Sequence, residues 1–261
     1  MTGIVRVSRR RLLLGLAGGA GTLSLGGCAM IGESPAALSI IDEVEGLTRR
    51  VQRALLGSRD ALAPEYTLAD ISPWFKPNGS TAPADPTYQV HAKTGFADWT
   101  LKVDGLVEMP FEISLADLKA MPSRTQITRH DCVEGWSCIG QWKGVPLKLL
   151  LDKARLKSEA KLIAFFCADD LEQTLDGTGR YYETHDLVDA YHPQTILAYD
   201  LNGHPLGTDH GAPLRLRVER QLGYKMAKYV MRISAISSYA NLGRGQGGFW
   251  EDRGYEWYAG I

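Results

Sequence analysis

The sequence predicts an α+β fold, on three observations. Short strand-like runs are mixed with short helical ones. No internal repeat or low-complexity tract breaks that mixture. At 261 residues, 44% hydrophobic and 23% charged, the chain has the length of one large domain with appendages and an ordinary globular composition.

Residues 1–27 read as an export signal. Ser8-Arg9-Arg10-Arg11-Leu12-Leu13 has the twin-arginine form, and an apolar, Gly/Ala-rich run follows over 12–25. That run is too short and too glycine-rich for a comfortable membrane span. It ends in Leu25-Gly26-Gly27-Cys28, which has the form of a lipobox and makes Cys28 the expected lipid anchor. An ordinary cleavage site or an uncleaved anchor is the alternative. The expected location is the periplasm, free or tethered to the membrane. Residues 1–27 hold four arginines and no acid, so the rest of the chain has 25 basic and 30 acidic residues. A net charge near −5 argues against binding nucleic acid.

Residues 28–86 form the expected N-terminal helix and wrapping segment. Ile40, Val44, Leu47, Val51 and Leu55 recur at helical spacing over 39–56, with Gly57 as a stop, and that face is expected to pack on the main domain. Residues 64–86, rich in Pro, Gly, Ser and Ala, read as irregular. The main domain is assigned to 87–240. Strands are expected at 99–107, 124–129, 161–167, 195–200, 214–218 and 228–236. Helical stretches are expected at 114–120, capped by Ser114, and at 147–153 and 186–191, with a turn at 201–203. The last segment, 241–261, is rich in glycine and aromatics and reads as a strap; a lid is the alternative.

The chemistry concentrates in residues 128–146, TRHDCVEGWSCIGQWKGVP. Cys132 is placed in a turn between an extended run and a polar-aromatic loop, crowded by Arg129, His130, Asp131 and Glu134. A thiolate is a soft metal donor, and cationic neighbours lower a thiol pKa. A buried structural cysteine is the plainer reading of the residues alone. Cysteines 28, 132, 138 and 167 make no CxxC pair, and His130, Cys132, Cys138 and His185 match no common zinc spacing.

Residues 132–137 (CVEGWS), followed by 142–147 (WKGVPL), resemble the metal-ligating loop of the sulfite oxidase-type molybdenum enzymes. The likeness is strongest to the bacterial branch that includes periplasmic methionine sulfoxide reductase catalytic subunits, and it runs over about residues 99–233. It implies a mixed α+β domain with a largely β core, without the C-terminal immunoglobulin-like dimerisation domain of sulfite oxidases proper, and hence a monomer. It also implies a molybdenum-molybdopterin cofactor with Cys132 as the metal ligand.

Two further motifs carry the resemblance. Residues 210–217 (HGAPLRLR) are similar to the family's segment of a polar residue and Gly-x-Pro leading into a strand with an inward arginine. They make His210 and Arg215 cofactor contacts; His210 is the sulfite oxidase choice where the reductase branch has asparagine. Residues 223–228 (GYKMAK) are similar to the Gly-x-Lys-x-x-Lys loop, implying that Met226, Ala227 and Lys228 hold the phosphate through backbone N–H groups and the second lysine. Asn78 matches an asparagine that touches the pterin, although Asn78-Gly79 is equally a turn dipeptide. Cys167 lies at a pterin-lining position or is simply core.

Arg129 and His130 are the candidates for donors to a substrate oxygen, and their alternation along a strand lets only one face the metal. Tyr182 sits where the family often places an active-site tyrosine. The implied activity is two-electron oxygen-atom transfer to or from a small sulfur-centred substrate, with a membrane haem protein or c-type cytochrome as electron partner. A tethered, non-catalytic anion- or cofactor-binding protein is the alternative.

Overall fold

The structure, a computed structural model, describes Val44, residues 46–54 and residues 61–261. The export signal and Cys28 lie outside the described residues. The chain divides into two compact units, Met1–Gln52 and Arg53–Ile261. In the first, Val44 and residues 46–52 are helical as the apolar spacing predicts, with Val44, Leu47 and Val51 exposed. Among the described residues no helix is long and apolar enough to cross a membrane.

The second unit is built from two five-stranded sheets. Helix α1 (Pro86–Lys93) precedes strand β1 (Thr100–Gly105) and is absent from the sequence reading. Its signature was present: Asp85 caps it by accepting from Tyr88 N, and Pro86 occupies the first turn. Strand β2 (Phe111–Ser114) hands over to α2 (Leu115–Ala120), where Ser114 caps as expected. Strands β3 (Arg124–Asp131) and β4 (Ser137–Pro146) form a hairpin, followed by α3 (Leu147–Ala154), β5 (Leu162–Asp170) and β6 (Arg180–Asp186). After α4 (Leu187–Ala190) come β7 (Ile196–Leu201), β8 (His204–Pro205), β9 (Arg215–Arg217) and β10 (Val230–Ile236).

One sheet has the order β2-β1-β10-β5-β6, with β1 and β10 parallel. Its strand β5 buries Ile163, Ala164 and Phe165 in succession, which is why residues 161–167 read as a continuous apolar run. The other sheet has the order β3-β4-β7-β8, with β9 also on β7. The hairpin runs in register from Arg124↔Gly144 to Asp131↔Ser137. The polar-aromatic loop expected after Cys132 is therefore corrected: 132–136 form the hairpin tip, and Ser137–Pro146 is strand. Gly144 belongs there because a Cβ would overlap the Leu197 carbonyl of β7.

Residues 241–261 follow the domain as a strap. They bridge Gly248 to Glu183 on β6 and Gly260 to Gln221.

Candidate cofactor site

The site grows from an inverted strand. Along β3 the polar residues Gln126, Thr128 and His130 point inward, while Arg129 turns out to Asp131, Nε to Oδ2 at 2.9 Å. Of the two adjacent candidates, His130 is the inward one. Its Nδ1 lies 3.1 Å from Arg217 Nη1, which donates to it, and 3.4 Å from Met226 Sδ. Its Nε2 has no partner. Burial, with Arg215, Arg217 and Lys228 nearby, holds the His130 pKa well below its ordinary value, so the ring is neutral.

Cys132 sits at the hairpin tip. Its N–H donates to Trp136 O at 2.9 Å and its carbonyl accepts from Gly135 N at 3.0 Å, with Gly135 at φ 82°. Burial, reinforced by Glu134, pushes the thiol pKa up. That corrects the expectation of a cation-lowered thiol: Arg129 faces away and His130 is uncharged. A bound metal cation is the charge that would stabilise this thiolate.

Beside the tip lies a group of buried cations. Arg215 and Arg217 on β9 are fully buried, 5.1 and 4.4 Å from the Trp142 ring centroid. Arg217 is neutralised by a bidentate Glu219, at 2.9 and 2.7 Å. Arg215 meets no carboxylate; its Nη2 donates to Asn78 Oδ1 at 2.7 Å, its Nη1 to His210 O at 3.3 Å, and its Nε has no partner. Burial and Arg217 push the Arg215 pKa down to about 9. Lys228 donates to the carbonyls of Ser80 and Asp209, and burial with Arg215 brings its pKa down to about 7. The one acid near Lys228 in the cleft, Asp169, accepts from Ser80 Oγ at 2.6 Å and is itself pushed up by burial.

The segment around residues 75–80 ties these parts together. Phe75 packs on His130 and Trp142, Lys76 lies 4.9 Å over Trp136 and 3.7 Å from Glu134, and Asn78 and Ser80 reach the cations. Asn78, Asp169, Tyr181, Gly223, Met226 and Lys228 line one cleft. It is a narrow cleft, partly open to solvent, with room for a water-sized group between these side chains.

Among the remaining sequence candidates, Tyr182 is corrected. Its hydroxyl donates to Asp252 Oδ2 at 2.8 Å and lies 3.0 Å from Leu242 O in the strap, and the tyrosine of β6 that lines the cleft is Tyr181. Cys167 and Ala227 are buried and do not line the cleft. His210 binds Phe75 O at 3.0 Å and reaches Arg215 only through its own carbonyl. Asp169, Tyr181, Ser80 and Gly223 were missed. Only Gly223 carried a signal, as the first residue of the lysine loop.

The donor set is one soft thiol, two cations without a carboxylate of their own, orphaned buried nitrogens on His130 and Arg215, and an acid able to accept from N–H groups. That is the chemistry required by a dithiolene-bound metal, a polar ring and a phosphate, so the residues fit such a group. Cys132 would hold the metal, and Arg215 and Lys228 the anionic part.

Fold and donor set are those of a domain suited to a thiolate-held metal and an anionic organic cofactor beside buried cations. The chain belongs to the oxidoreductase molybdopterin-binding domain family, whose model matches residues 87–241, and its cofactor is molybdenum-molybdopterin. It is 40% identical over 164 residues to a sequence assigned as the protein-methionine-sulfoxide reductase subunit YedZ1 of Azospira oryzae, covering 63% of this chain and 56% of that one. It is 35% identical over 237 residues to the protein-methionine-sulfoxide reductase catalytic subunit MsrP of Xanthomonas campestris pv. campestris, covering 87% and 70%. The MsrP of Xanthomonas axonopodis pv. citri is 40% identical over 144 residues, covering 53% and 45%. The chain thus spans about half the length of two of these relatives. The sulfane dehydrogenase SoxCD of Paracoccus pantotrophus superposes with a TM-score of 0.48 at 25% identity, over 54% of this chain and 39% of that one.

Proposed function

We propose that this chain is an exported molybdenum-molybdopterin oxidoreductase that transfers one oxygen atom and two electrons on a sulfur-centred substrate. The observation that carries the reading is Cys132 at a hairpin tip whose β3 base packs on the buried cations through His130 and Arg217. Bound molybdenum supplies the two-electron couple and the acceptor for oxygen. The chain's own residues hold and orient that group. Arg215 and Lys228 fix its anionic end, the neutral ring of His130 packs behind the tip, and Lys76, Glu134 and Trp136 form the polar-aromatic rim beside Cys132.

Relatives carrying the name methionine sulfoxide reductase favour sulfoxide reduction over sulfite oxidation. In that direction a sulfoxide, two electrons and two protons give a thioether and water. The electrons come from a membrane haem protein or c-type cytochrome. The chain works as a monomer on the periplasmic side, delivered by the signal in residues 1–27 and held at Cys28 if that residue is lipidated.

Elemental analysis of the protein and of Cys132→Ser, purified from a host that makes the cofactor, tests this. The expected result is about one molybdenum per chain in the parent. Dye-coupled turnover of a methyl sulfoxide is expected to exceed sulfite-dependent cytochrome reduction, with neither activity in the variant. Folded parent protein without molybdenum would overturn the reading.

A further inference from the structure

The loop 223–228 contains two lysines that the structure uses in opposite ways. Lys228 lines the cofactor cleft, whereas Lys225 is buried among acids. Its Nζ lies 2.5 Å from Glu183 Oε1 on β6 and 2.5 Å from Glu251 Oε1 on the C-terminal strap, and donates more weakly to Thr184 O at 3.3 Å. All three side chains are essentially without solvent contact.

Two carboxylates on one ammonium is an unusual choice. A single Lys–Glu pair would already be neutral, and burying a second acid costs free energy unless it serves a connection. Here the second acid joins separate segments: Glu183 ties Lys225 to the sheet, and Glu251 ties it to the strap. Each acid meets Lys225 through one oxygen, its Oε2 having no partner, and burial with the neighbouring Glu251 pushes the Glu183 pKa well above its ordinary value. The strap makes further contacts with the same loop region. Leu222 N donates to Ala259 O at 2.9 Å and Tyr224 OH to Glu256 O at 2.6 Å. On its other side the loop meets the metal-binding hairpin, where Gly223 leaves no room for a Cβ against His130.

We propose that Glu251 is a positioning residue for the cofactor: through Lys225 it makes the C-terminal strap the element that fixes the 223–228 loop, and so Lys228 and Met226, in the geometry that holds the cofactor. Glu251 touches no cofactor itself. The loop's use as a cofactor loop rests on the family reading. The latch between Glu251 and Lys225 does not, so the two can fail separately.

Hydrogen exchange followed by mass spectrometry on the full chain, with and without cofactor, tests the latch. The variants are Glu251→Ala, Glu251→Gln, and Arg253→Ala as a strap control that removes the contacts of Arg253 with Glu172, Phe249 and Thr178 and leaves the Glu251–Lys225 contact in place. In Glu251→Ala, exchange of residues 223–228 is expected to accelerate about tenfold or more in both forms while β3 and β4 keep their protection. Molybdenum is expected to be lost on dialysis. Glu251→Gln, which still accepts from Lys225, is expected to restore both, and Arg253→Ala to change neither. Unchanged loop exchange with retained molybdenum in Glu251→Ala overturns the proposal. So does acceleration spread evenly over the chain and shared by Arg253→Ala. If Glu251→Ala does not fold, Glu251→Asp takes its place, because the shorter side chain weakens the contact without removing the charge. Loop loosening there without molybdenum loss would confirm the latch and reject its bearing on the cofactor.

Discussion

Arg215 and Arg217 stand two positions apart on β9 over the same indole, and only Arg217 is given a carboxylate. Arg217 is therefore neutralised within the fold, whereas Arg215 keeps a charge that an anion could meet. Arg217→Met leaves Glu219 buried and unpaired, and is expected to cost about 3–5 kcal/mol in urea unfolding of the cofactor-free protein. Arg215→Met removes a buried charge without a counter-ion and is expected to stay within about 1 kcal/mol of the parent. It should nonetheless lose molybdenum. Equal destabilisation by both variants would contradict the distinction.

Thr128 carries a buried hydroxyl with no partner on the inward face of β3. Valine keeps its shape and β-branching and removes the unsatisfied group. Thr128→Val is expected to leave stability unchanged or raise it by about 1 kcal/mol, measured as a shift in the denaturant midpoint.

Gly223 lies where any side chain would overlap His130 Cε1 and Nε2. Gly223→Ala is expected to cost about 1–3 kcal/mol by overpacking. Because the ring is pushed from between the hairpin and the lysine loop, cofactor content should fall more than stability does. A crystal structure of the variant with His130 unmoved would rule this out.

Lys228 has its pKa pushed from 10.5 to about 7 by burial and by Arg215. Between those values the unfolded chain binds a proton that the folded chain lacks, so folding becomes more favourable as pH rises. The slope is at most ~1.4 kcal/mol per pH unit. Cofactor-free parent protein should therefore gain stability relative to Lys228→Met between about pH 7 and 9. Pyrophosphate should shrink that gain by stabilising the charged lysine at neutral pH.

Much of the fold was legible where one face of an element is apolar. Ser114 marked its helix, and the run 161–167 marked a central strand. The hairpin was not, because Gly140 and Gly144 look like loop residues until Phe75, Leu197 and Leu201 of other segments are seen occupying the space of their side chains. Cys132, Arg215 and Lys228 were readable because whole motifs surround them, whereas Asp169 is an ordinary acid at a strand end. Side-chain direction was the weakest inference. The sheet partners decide that Tyr181 rather than Tyr182 reaches the cleft, and that Arg129 leaves the neighbourhood its position in sequence suggested.

The parallel pairing of β1 with β10 sets Lys102 beside Arg232 and Ala235 beside Gly105, across some 130 residues of sequence. A sheet closed by its last strand has high contact order and folds slowly, because loop-closure entropy is lost before the pairing contributes. On the ribosome, β1 and β2 emerge long before β10 and cannot complete their sheet. The 223–228 loop lies immediately before β10, so Met226 and Lys228, which line the cleft, reach their places at nearly the same moment that the sheet closes. An incomplete chain would carry the Cys132 thiol without the lysine loop, which makes closure of the last strand the natural checkpoint between a nascent polypeptide and one ready to be loaded.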